Sequence, residues 1–164
     1  MIGNVHSTAE VHESAVIPAS SKVWNYSQIR ENVVIGENCT IGRNVYIGPG
    51  VVIGKNCKIQ NNALIYEPAI IEDGVFIGPA VVLTNDKHPR AVNLDGSVKS
   101  PADWEPVGVT IRSGASVGAN SVCVAPVELG EWCAVGANSV VSRNVGRGQM
   151  VVGNPAKPIG EARY

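Results

Sequence analysis

Side chains that can orient a polar substrate and move a proton lie close together in residues 84–91. This segment contains an amide, a carboxylate, an imidazole and a guanidinium, at Asn85, Asp86, His88 and Arg90. An imidazole changes its charge near neutral pH and can act as a general base, and a guanidinium binds carboxylates and phosphates. The segment could therefore bind a polar substrate, and His88 is the candidate base if the reaction needs one.

The segment interrupts a strict six-residue repeat that occupies most of the chain. An aliphatic residue recurs at every sixth position from Val5 to Leu83, and the series resumes at Ile111 and runs to Val141, with Cys123 as one member. A second column, four residues after each of these positions, holds only small side chains. Neither the period of a strand nor that of a helix produces this spacing, which is typical of a hexapeptide β-helix.

Three hexads make one triangular coil, so residues 18 apart should stack at about the 4.8 Å spacing of neighbouring strands. The thirteen hexads of residues 5–82 and the six of residues 111–146 predict about six coils. We therefore predict an all-β fold, a parallel β-helix in which residues 1–164 form a single domain. Residues 84–110 are predicted to form a long protruding loop, which in a compact domain is usually functional or disordered, and residues 147–164 a C-terminal tail.

The stacking rule places a group of polar residues under this loop, at one edge of the prism. Counting back in steps of 18 from the start of the loop gives Arg30, Glu31, Tyr66 and Glu67. An arginine could bind a phosphate, and a tyrosine could stack on or hydrogen-bond to a nucleotide-linked sugar. We interpret the group as a polar ligand site, and ordinary solvent-exposed corner residues are the alternative for any one of them.

The composition limits the classes of partner. A net charge of −1 without a basic stripe argues against nucleic acid. The chain has no run of 18 apolar residues, so we expect no membrane insertion. Its first residues lack a charged segment followed by an apolar one, so we expect a cytoplasmic protein.

The cysteines and histidines do not predict a catalytic thiol or a metal site. The cysteines fall on inward positions of the repeat, as expected of buried core thiols, at Cys39, Cys57, Cys123 and Cys133. A zinc site of the carbonic anhydrase type needs three converging imidazoles. His6 and His12 are one hexad apart and so lie on different corners, and His88 lies several coils away. We therefore expect no metal cofactor.

These features resemble those of the hexapeptide-repeat acyltransferases, the left-handed β-helix family. The resemblance covers nearly the whole chain, up to the segment Val152-Gly153-Asn154-Pro155-Ala156-Lys157, which is similar to the family's usual end of the helix. The run Thr84-Asn85-Asp86-Lys87-His88-Pro89-Arg90 resembles a branch that N-acetylates the 3-amino group of nucleotide-linked sugars for bacterial surface polysaccharides. Similarity is greatest to enzymes acting on UDP-2-acetamido-3-amino-2,3-dideoxyglucuronate, and relatives acting on dTDP-3-amino-3,6-dideoxyhexoses carry much the same motif.

The resemblance implies an acetyl-CoA-dependent enzyme that forms a homotrimer and binds the coenzyme in the groove between neighbouring prisms. It implies that Asn85 holds the sugar amine and that Asp86 helps to bind the substrate, while Arg30 or Arg90 could recognise a 6-carboxylate. The coenzyme would contact backbone amides and the terminal segment, at Gly118, Ala119, Gly136, Ala137, Asn154, Pro155 and Lys157, the last of these through a phosphate. A different acceptor and a non-catalytic β-helix adaptor remain alternatives, and the intact loop motif and terminal segment favour the enzyme.

Overall fold

The computed structural model describes residues 4–163 as a solenoid of short parallel strands. Residues 1–3 and 164, which the predicted domain includes, lie outside the described residues. The strands are numbered in chain order and form three walls, A, B and C.

Each wall is one sheet. Wall A contains β1 (Asn4–Val5), β3 (Lys22–Val23), β6 (Thr40–Ile41), β9 (Lys58–Ile59), β12 (Phe76–Ile77), β15 (Ser116–Val117), β18 (Ala134–Val135), β20 (Gln149–Val152) and β21 (Lys157–Glu161). Wall B contains β2 (Glu10–Val11), β4 (Gln28–Ile29), β7 (Tyr46–Ile47), β10 (Leu64–Ile65), β13 (Val82–Leu83), β16 (Val122–Cys123) and β19 (Val140–Val141). Wall C contains β5 (Val34–Ile35), β8 (Val52–Ile53), β11 (Ile70–Ile71), β14 (Val109–Ile111) and β17 (Val127–Leu129).

The register of the strands confirms the predicted stacking. Leu64 pairs with Val82, 18 residues later, and the same step relates the other neighbouring coils of the N-terminal part. Across the loop the step becomes 40, because Phe76 pairs with Ser116. The loop is thus an insertion into one coil, and it leaves the stacking of the coils on either side unchanged.

Wall A has nine strands, of which all but β21 run parallel, so the solenoid has about eight turns. The prediction of about six coils was too low. It counted only complete hexads and therefore missed β13 at the start of the loop, the wall position at the isolated bridge of Val145, and β20. The predicted parallel β-helix itself is confirmed, and the left hand of its coil stays a prediction.

The inward columns form one continuous hydrophobic core from Ile17 to Val151. All four cysteines are buried in it and none is in a disulfide, as predicted. Burial raises the pKa of the Cys123 thiol to about 12 and that of the Cys133 thiol to about 11. The Cys39 and Cys57 thiols donate hydrogen bonds to main-chain carbonyls of the next coil, both at 3.0 Å. All four thiols are therefore groups of the hydrophobic core, although hydrogen bonding between Cys39 and Cys57 lowers the pKa of Cys39 to about 7.

The corners use the left-handed backbone region that asparagine tolerates. Seven asparagines, each three residues after an inward aliphatic position, have φ between 55° and 63°: Asn32, Asn38, Asn44, Asn56, Asn62, Asn120 and Asn138. Three residues whose side chains do not favour this region occupy equivalent positions: Tyr26, Ala80 and Trp132, with φ of 60°, 57° and 56°. Glycine is required where coils approach closely: a Cβ on Gly42 would lie 2.6 Å from the backbone nitrogen of Asn61.

The loop has local structure of its own. Val92 and Val98 form an antiparallel bridge, and a 3-10 turn, η1, spans Pro101–Asp103 with Ser100 as its N-cap. The Val107 amide donates to the Asn85 carbonyl at 2.9 Å and closes the loop at its base. The chain rejoins the solenoid at β14, slightly before the predicted end of the loop at residue 110.

An ion-pair cluster follows the point of re-entry. Arg112 donates to Glu72 in the coil below at 2.8 Å and forms two hydrogen bonds of 3.0 Å to Glu128 in the coil above. Ser113 also donates to Glu72, through its amide and its hydroxyl. These bonds join the coils across the insertion.

No helix in residues 4–163 is long and apolar enough to cross a bilayer.

Candidate functional site

The loop leaves the solenoid where wall B meets wall C, and the residues predicted to lie beneath it do stack there. We call Arg30, Glu31, Tyr66, Glu67 and Asn85 the loop corner. The register of β10 and β13 places residues 66 and 67 directly below residues 84 and 85. The Thr84 hydroxyl accepts a hydrogen bond from the Ala125 amide at 3.0 Å, which holds the start of the loop to the coil above. Two hydrogen bonds therefore fix the backbone around Asn85: the one to the Thr84 hydroxyl before it, and the one from the Val107 amide to the Asn85 carbonyl.

Arg30 is paired with its sequence neighbour. Its Nε and Nη2 atoms each donate to a Glu31 carboxylate oxygen at 3.0 Å. The hydrogen bond from Arg30 holds the pKa of the Glu31 carboxyl below its usual value, and the same bond raises the pKa of Arg30. Because the guanidinium already binds a carboxylate, Arg30 is a poorer candidate for a substrate carboxylate or phosphate than the sequence suggested.

Glu67 carries the most informative atom of the loop corner. Its Oε2 is buried and accepts no hydrogen bond among the described residues. Gly48 lies beneath it, and any side chain there would collide with this oxygen. A buried carboxylate oxygen without a donor is costly, because the group has lost water and gained no partner. The loop corner thus presents an acceptor that a ligand N–H or O–H group could satisfy.

Tyr46 belongs to the same cluster and was missed in the sequence. Its ring centroid lies 5.2 Å from that of Tyr66, with the planes tilted by 48°. Burial raises the pKa of Tyr46, and the nearby charge of Glu67 adds to the increase. Tyr46 points outward from β7 on wall B. A comparison of the outward positions on wall B with those of the following corner would have predicted that it lies beside Tyr66.

The remaining loop candidates are not joined to the loop corner. The Asp86 carboxylate accepts a hydrogen bond from the His88 amide at 2.7 Å and so shapes the turn. The His88 side chain is exposed, and Arg90 is exposed and donates to the adjacent Pro89 carbonyl at 2.8 Å. No hydrogen bond within residues 4–163 connects His88 or Arg90 to Glu67 or Asn85.

The predicted coenzyme residues lie on a different corner, between walls A and B. The Gly118 and Gly136 amides are used by the solenoid, since each donates to a carbonyl of the next coil at 2.8 Å. The Ala119 and Ala137 amides, within the described chain, donate to no main-chain carbonyl and remain free to bind a ligand. We expected the coenzyme to bind four backbone amides, and only two of them are available, those of Ala119 and Ala137. The amides of Gly118 and Gly136 are used within the solenoid.

The terminal segment ends near these alanines. Asn154 and Pro155 are exposed between β20 and β21, and Lys157 begins β21 with an exposed side chain. The structure of one chain does not bring this set together with the loop corner, because wall B separates the two corners.

The described residues contain no group of three or more His, Cys, Asp and Glu side chains that could hold a metal ion. His6 and His12 each contact a hydroxyl two residues on, Thr8 at 3.0 Å and Ser14 at 2.8 Å. Both histidines therefore belong to local turns.

Family comparisons agree with the repeat. The model described as "Bacterial transferase hexapeptide (six repeats)" matches residues 14–49 and 50–85. The model described as "Hexapeptide repeat of succinyl-transferase" matches residues 32–67 and 108–143. Together they cover both sides of the loop.

Among curated proteins, the dTDP-3-amino-3,6-dideoxy-alpha-D-galactopyranose 3-N-acetyltransferase of Aneurinibacillus thermoaerophilus is 49% identical over 47 residues, 29% of this chain and 24% of that protein. The serine acetyltransferase of Escherichia coli K12 is 33% identical over 89 residues, 54% of this chain and 32% of that enzyme. Each match spans less than a third of the relative's own length.

Solved structures share the fold. A hexapeptide-repeat-containing acetyltransferase of Vibrio cholerae, complexed with acetyl coenzyme A, has a TM-score of 0.65 and 23% identity over 79% of this chain and 71% of that one. The acetyltransferase domain of PglB from Neisseria gonorrhoeae has a TM-score of 0.65 and 18% identity over 94% of this chain and 56% of that one.

Proposed function

We propose, from the premise that this chain belongs to the bacterial hexapeptide-repeat transferases, that it is an N-acetyltransferase. It transfers the acetyl group of acetyl-CoA to the 3-amino group of a nucleotide-linked amino sugar. This activity serves the synthesis of a bacterial surface polysaccharide in the cytoplasm.

The observation that carries this proposal is the unsatisfied Glu67 oxygen directly below Asn85. An amino sugar offers N–H and O–H donors, and the loop corner offers a carboxylate oxygen and an amide to accept them. A neutral amine that donates to these groups is held with its lone pair directed away from them. Such orientation supplies a large share of the rate in acyl transfer.

The reaction needs little further chemistry from the protein. Acetyl-CoA supplies a thioester carbonyl, so a C–N bond forms, the C–S bond breaks, and the amine proton ends on the released thiol. The free Ala119 and Ala137 amides suit the carbonyl groups of a pantetheine chain, and the Lys157 ammonium suits a phosphate. We assign His88 a proton-relay role only if the reaction needs a base, because its exposed ring forms no hydrogen bond to the loop corner among the described residues.

As the acceptor we propose UDP-2-acetamido-3-amino-2,3-dideoxyglucuronate, on the strength of the loop motif. Arg90 is then the candidate partner of its 6-carboxylate, because Arg30 is already paired with Glu31. The alternative is a dTDP-3-amino-3,6-dideoxyhexose, which the name of the Aneurinibacillus relative favours. That sugar has no 6-carboxylate, and the engaged Arg30 is consistent with it.

The active form we propose is a homotrimer. The corner between walls A and B that carries Ala119 and Ala137, here called the coenzyme corner, faces the loop corner of the next chain. One chain alone keeps these corners apart. Wall C offers a surface for the contact, since its outward residues in the first four coils are exposed and aliphatic: Val16, Val34, Val52 and Ile70. A second copy that covers this stripe would remove apolar surface from water.

The experiment measures thiol release from acetyl-CoA with a panel of UDP- and dTDP-linked 3-amino sugars, with product masses confirmed. A gain of one acetyl group on one member identifies reaction, acceptor and nucleotide together. Coenzyme binding without transfer to any member would contradict the amino-sugar acceptor. No coenzyme binding at all would contradict the enzyme and favour a β-helix adaptor.

A further inference from the structure

Two of the four buried thiols are direct neighbours in one inward column of the core. Cys39 and Cys57 are 18 residues apart, and the residues that follow them, Thr40 and Lys58, pair in register between β6 and β9. The two side chains therefore point into the core side by side, one coil apart. Neighbouring strands lie about 4.8 Å apart, and the Cα atoms of a disulfide are usually about 4.4–6.8 Å apart. The spacing of the coils thus permits a bond between these two sulfur atoms.

The two sulfur atoms already interact in the reduced chain. The Cys57 amide donates a hydrogen bond to the Cys39 sulfur at 3.4 Å. Hydrogen bonding between the two thiols lowers the pKa of Cys39 and raises the pKa of Cys57. The thiolate is the nucleophilic form of cysteine, and a lowered pKa makes it more available. Cys39 is therefore the attacking sulfur of the pair, and Cys57 retains its proton.

The other two cysteines are not stacked on another thiol. Cys133 lies in the same inward column as Cys57, but Val75 and Ala115 lie between them. Cys123 lies in the aliphatic column of wall B. Burial raises the pKa of Cys133 to about 11 and that of Cys123 to about 12. These two thiols are therefore an internal reference for the stacked pair.

The stacked pair lies just inside the corner between walls C and A. The Cys39 thiol donates to the Gly54 carbonyl and the Cys57 thiol to the Glu72 carbonyl, and both carbonyls belong to this corner. The proposed trimer places its sites at the other two corners, so this corner is not part of the site between subunits. The two side chains are only 1% and 0% exposed. An oxidant that reaches them must therefore be small, which favours hydrogen peroxide over a bulky disulfide.

We propose that Cys39 and Cys57 are a peroxide-sensitive thiol pair that closes to an intramolecular disulfide. The Cys39 thiolate attacks one oxygen of hydrogen peroxide and the O–O bond breaks, which leaves a sulfenic acid at Cys39 and, after proton uptake, one water. The Cys57 sulfur then attacks the Cys39 sulfur, the S–O bond breaks, and the proton of Cys57 leaves with the oxygen as a second water. Two thiols and one peroxide thus give one disulfide and two waters.

The disulfide joins two coils that only hydrogen bonds and packing hold together in the reduced chain. A thiol reductant reverses the change, so the structure with four free cysteines is the reduced state. This modification goes beyond the proposed acetyl transfer, because it needs neither the coenzyme nor the sugar.

The test treats the reduced full chain with hydrogen peroxide and then denatures it in N-ethylmaleimide, which blocks the thiols that remain. Peptide mass spectrometry is expected to show blocked Cys123 and Cys133, and a cross-linked pair of peptides that carries Cys39 and Cys57 and lacks two hydrogen atoms. Treatment with dithiothreitol before blocking is expected to restore four blocked thiols.

Cys57→Ser removes the second thiol of the pair and keeps the first. Serine suits this column, since Ser21 occupies it two coils below and is buried. Peroxide is then expected to leave Cys39 as a sulfenic acid, which dimedone traps. Cys133→Ser is the matched control in the same column and is expected to form the cross-link at the rate of the parent chain.

Two results would overturn the proposal. One is four blocked thiols after peroxide treatment of the parent chain, because no disulfide has then formed. The other is oxidation of Cys133 at the same rate as Cys39, because it would show that peroxide reacts with the unfolded chain and not with a pair arranged by the fold.

Discussion

At the loop corner, the Glu67 carboxylate has one oxygen that accepts no hydrogen bond, and Gly48 leaves the space that this oxygen occupies. Most buried polar atoms of folded proteins have a partner, so the exception at Glu67 calls for an explanation, and the proposed function supplies one in a donor group of the substrate. Asn85, stacked above it, is fixed by the closure of the loop base. The proposed function assigns the sugar amine to these two residues.

Asn85→Ala removes one of the two acceptors without changing the solenoid. We expect turnover to fall by about a hundredfold, because the amine loses its orientation, while the affinity for coenzyme stays nearly unchanged. His88→Ala is the matched change within the same loop and is expected to keep at least about a tenth of the activity. Steady-state rates and coenzyme titration distinguish the two, and full activity of Asn85→Ala would remove that residue from the site.

Gly48→Ala tests Glu67 without altering its charge. A Cβ at residue 48 must push the carboxylate aside, so we expect the KM for the amino sugar to rise clearly. Gly54→Ala is the control, because its Cβ would meet Asp73 in a similar way on another corner. Both variants are expected to unfold at lower temperature, and only Gly48→Ala is expected to change KM. An equal KM in the two variants would contradict a role for Glu67 in acceptor binding.

The positions of Arg30, Tyr66 and Glu67 could be predicted from the sequence because they follow from the step of 18 residues alone. Their partners could not. Arg30 can reach several carboxylates, and only the folded geometry shows that it binds Glu31 and leaves Glu67 without a donor. Tyr46 was missed for the same reason, since its contact with Tyr66 runs from a wall to a corner and not along one column.

Among the elements, the loop was predictable as a break in the repeat, and its interior was not. Val92 and Val98 pair in a short hairpin whose register depends on local turns, and these give no six-residue signal. The number of coils was underestimated because strands such as β20 depart from the hexad spacing while keeping the hydrogen bonding of the wall. Hydrogen bonding between coils tolerates irregular spacing that a sequence period does not reveal.

Arg112 is the residue on which the junction after the loop depends. Arg112→Leu is expected to lower the midpoint of thermal unfolding at pH 7 by a few degrees, because Glu72 and Glu128 lose their shared cation. Hydrogen bonds from Arg112 hold the pKa of both carboxyls below their usual value of 4.5. A carboxyl whose pKa is lower in the folded chain stabilises it above that usual value and loses the effect as the pH falls through the lowered one.

The difference between Arg112→Leu and the parent chain is therefore expected to shrink as the pH falls below about 4.5. Arg147→Leu is the control, since its ion pair with Glu131 at 3.4 Å is more exposed. Thermal melts followed by circular dichroism across this range measure the effect. A difference that is independent of pH would show that Arg112 acts through packing alone.

On the scale of the whole molecule, the proposed trimer predicts that two inactive variants restore each other. Asn85→Ala disables the loop corner, and Ala137→Arg blocks the coenzyme corner. If each active site combines corners of two chains, trimers refolded from an equal mixture are expected to recover about a quarter of the sites. Light scattering confirms the assembly, and activity measured before and after mixing gives the recovery. No recovery in mixed trimers would place both halves of the site within one chain.

Strand β21 runs antiparallel to β20 at the last edge of wall A, whereas every other pair in the walls is parallel. A parallel coil with an unpaired edge presents amides and carbonyls in the pattern that a further coil would need. A second molecule could therefore continue the wall from that edge, and a third from the second, as in a growing filament. The reversed strand occupies this edge with a main chain of opposite direction. On wall A, β21 therefore prevents a further coil from pairing with the edge, and an architecture that could otherwise grow into a fibre ends after a fixed number of coils.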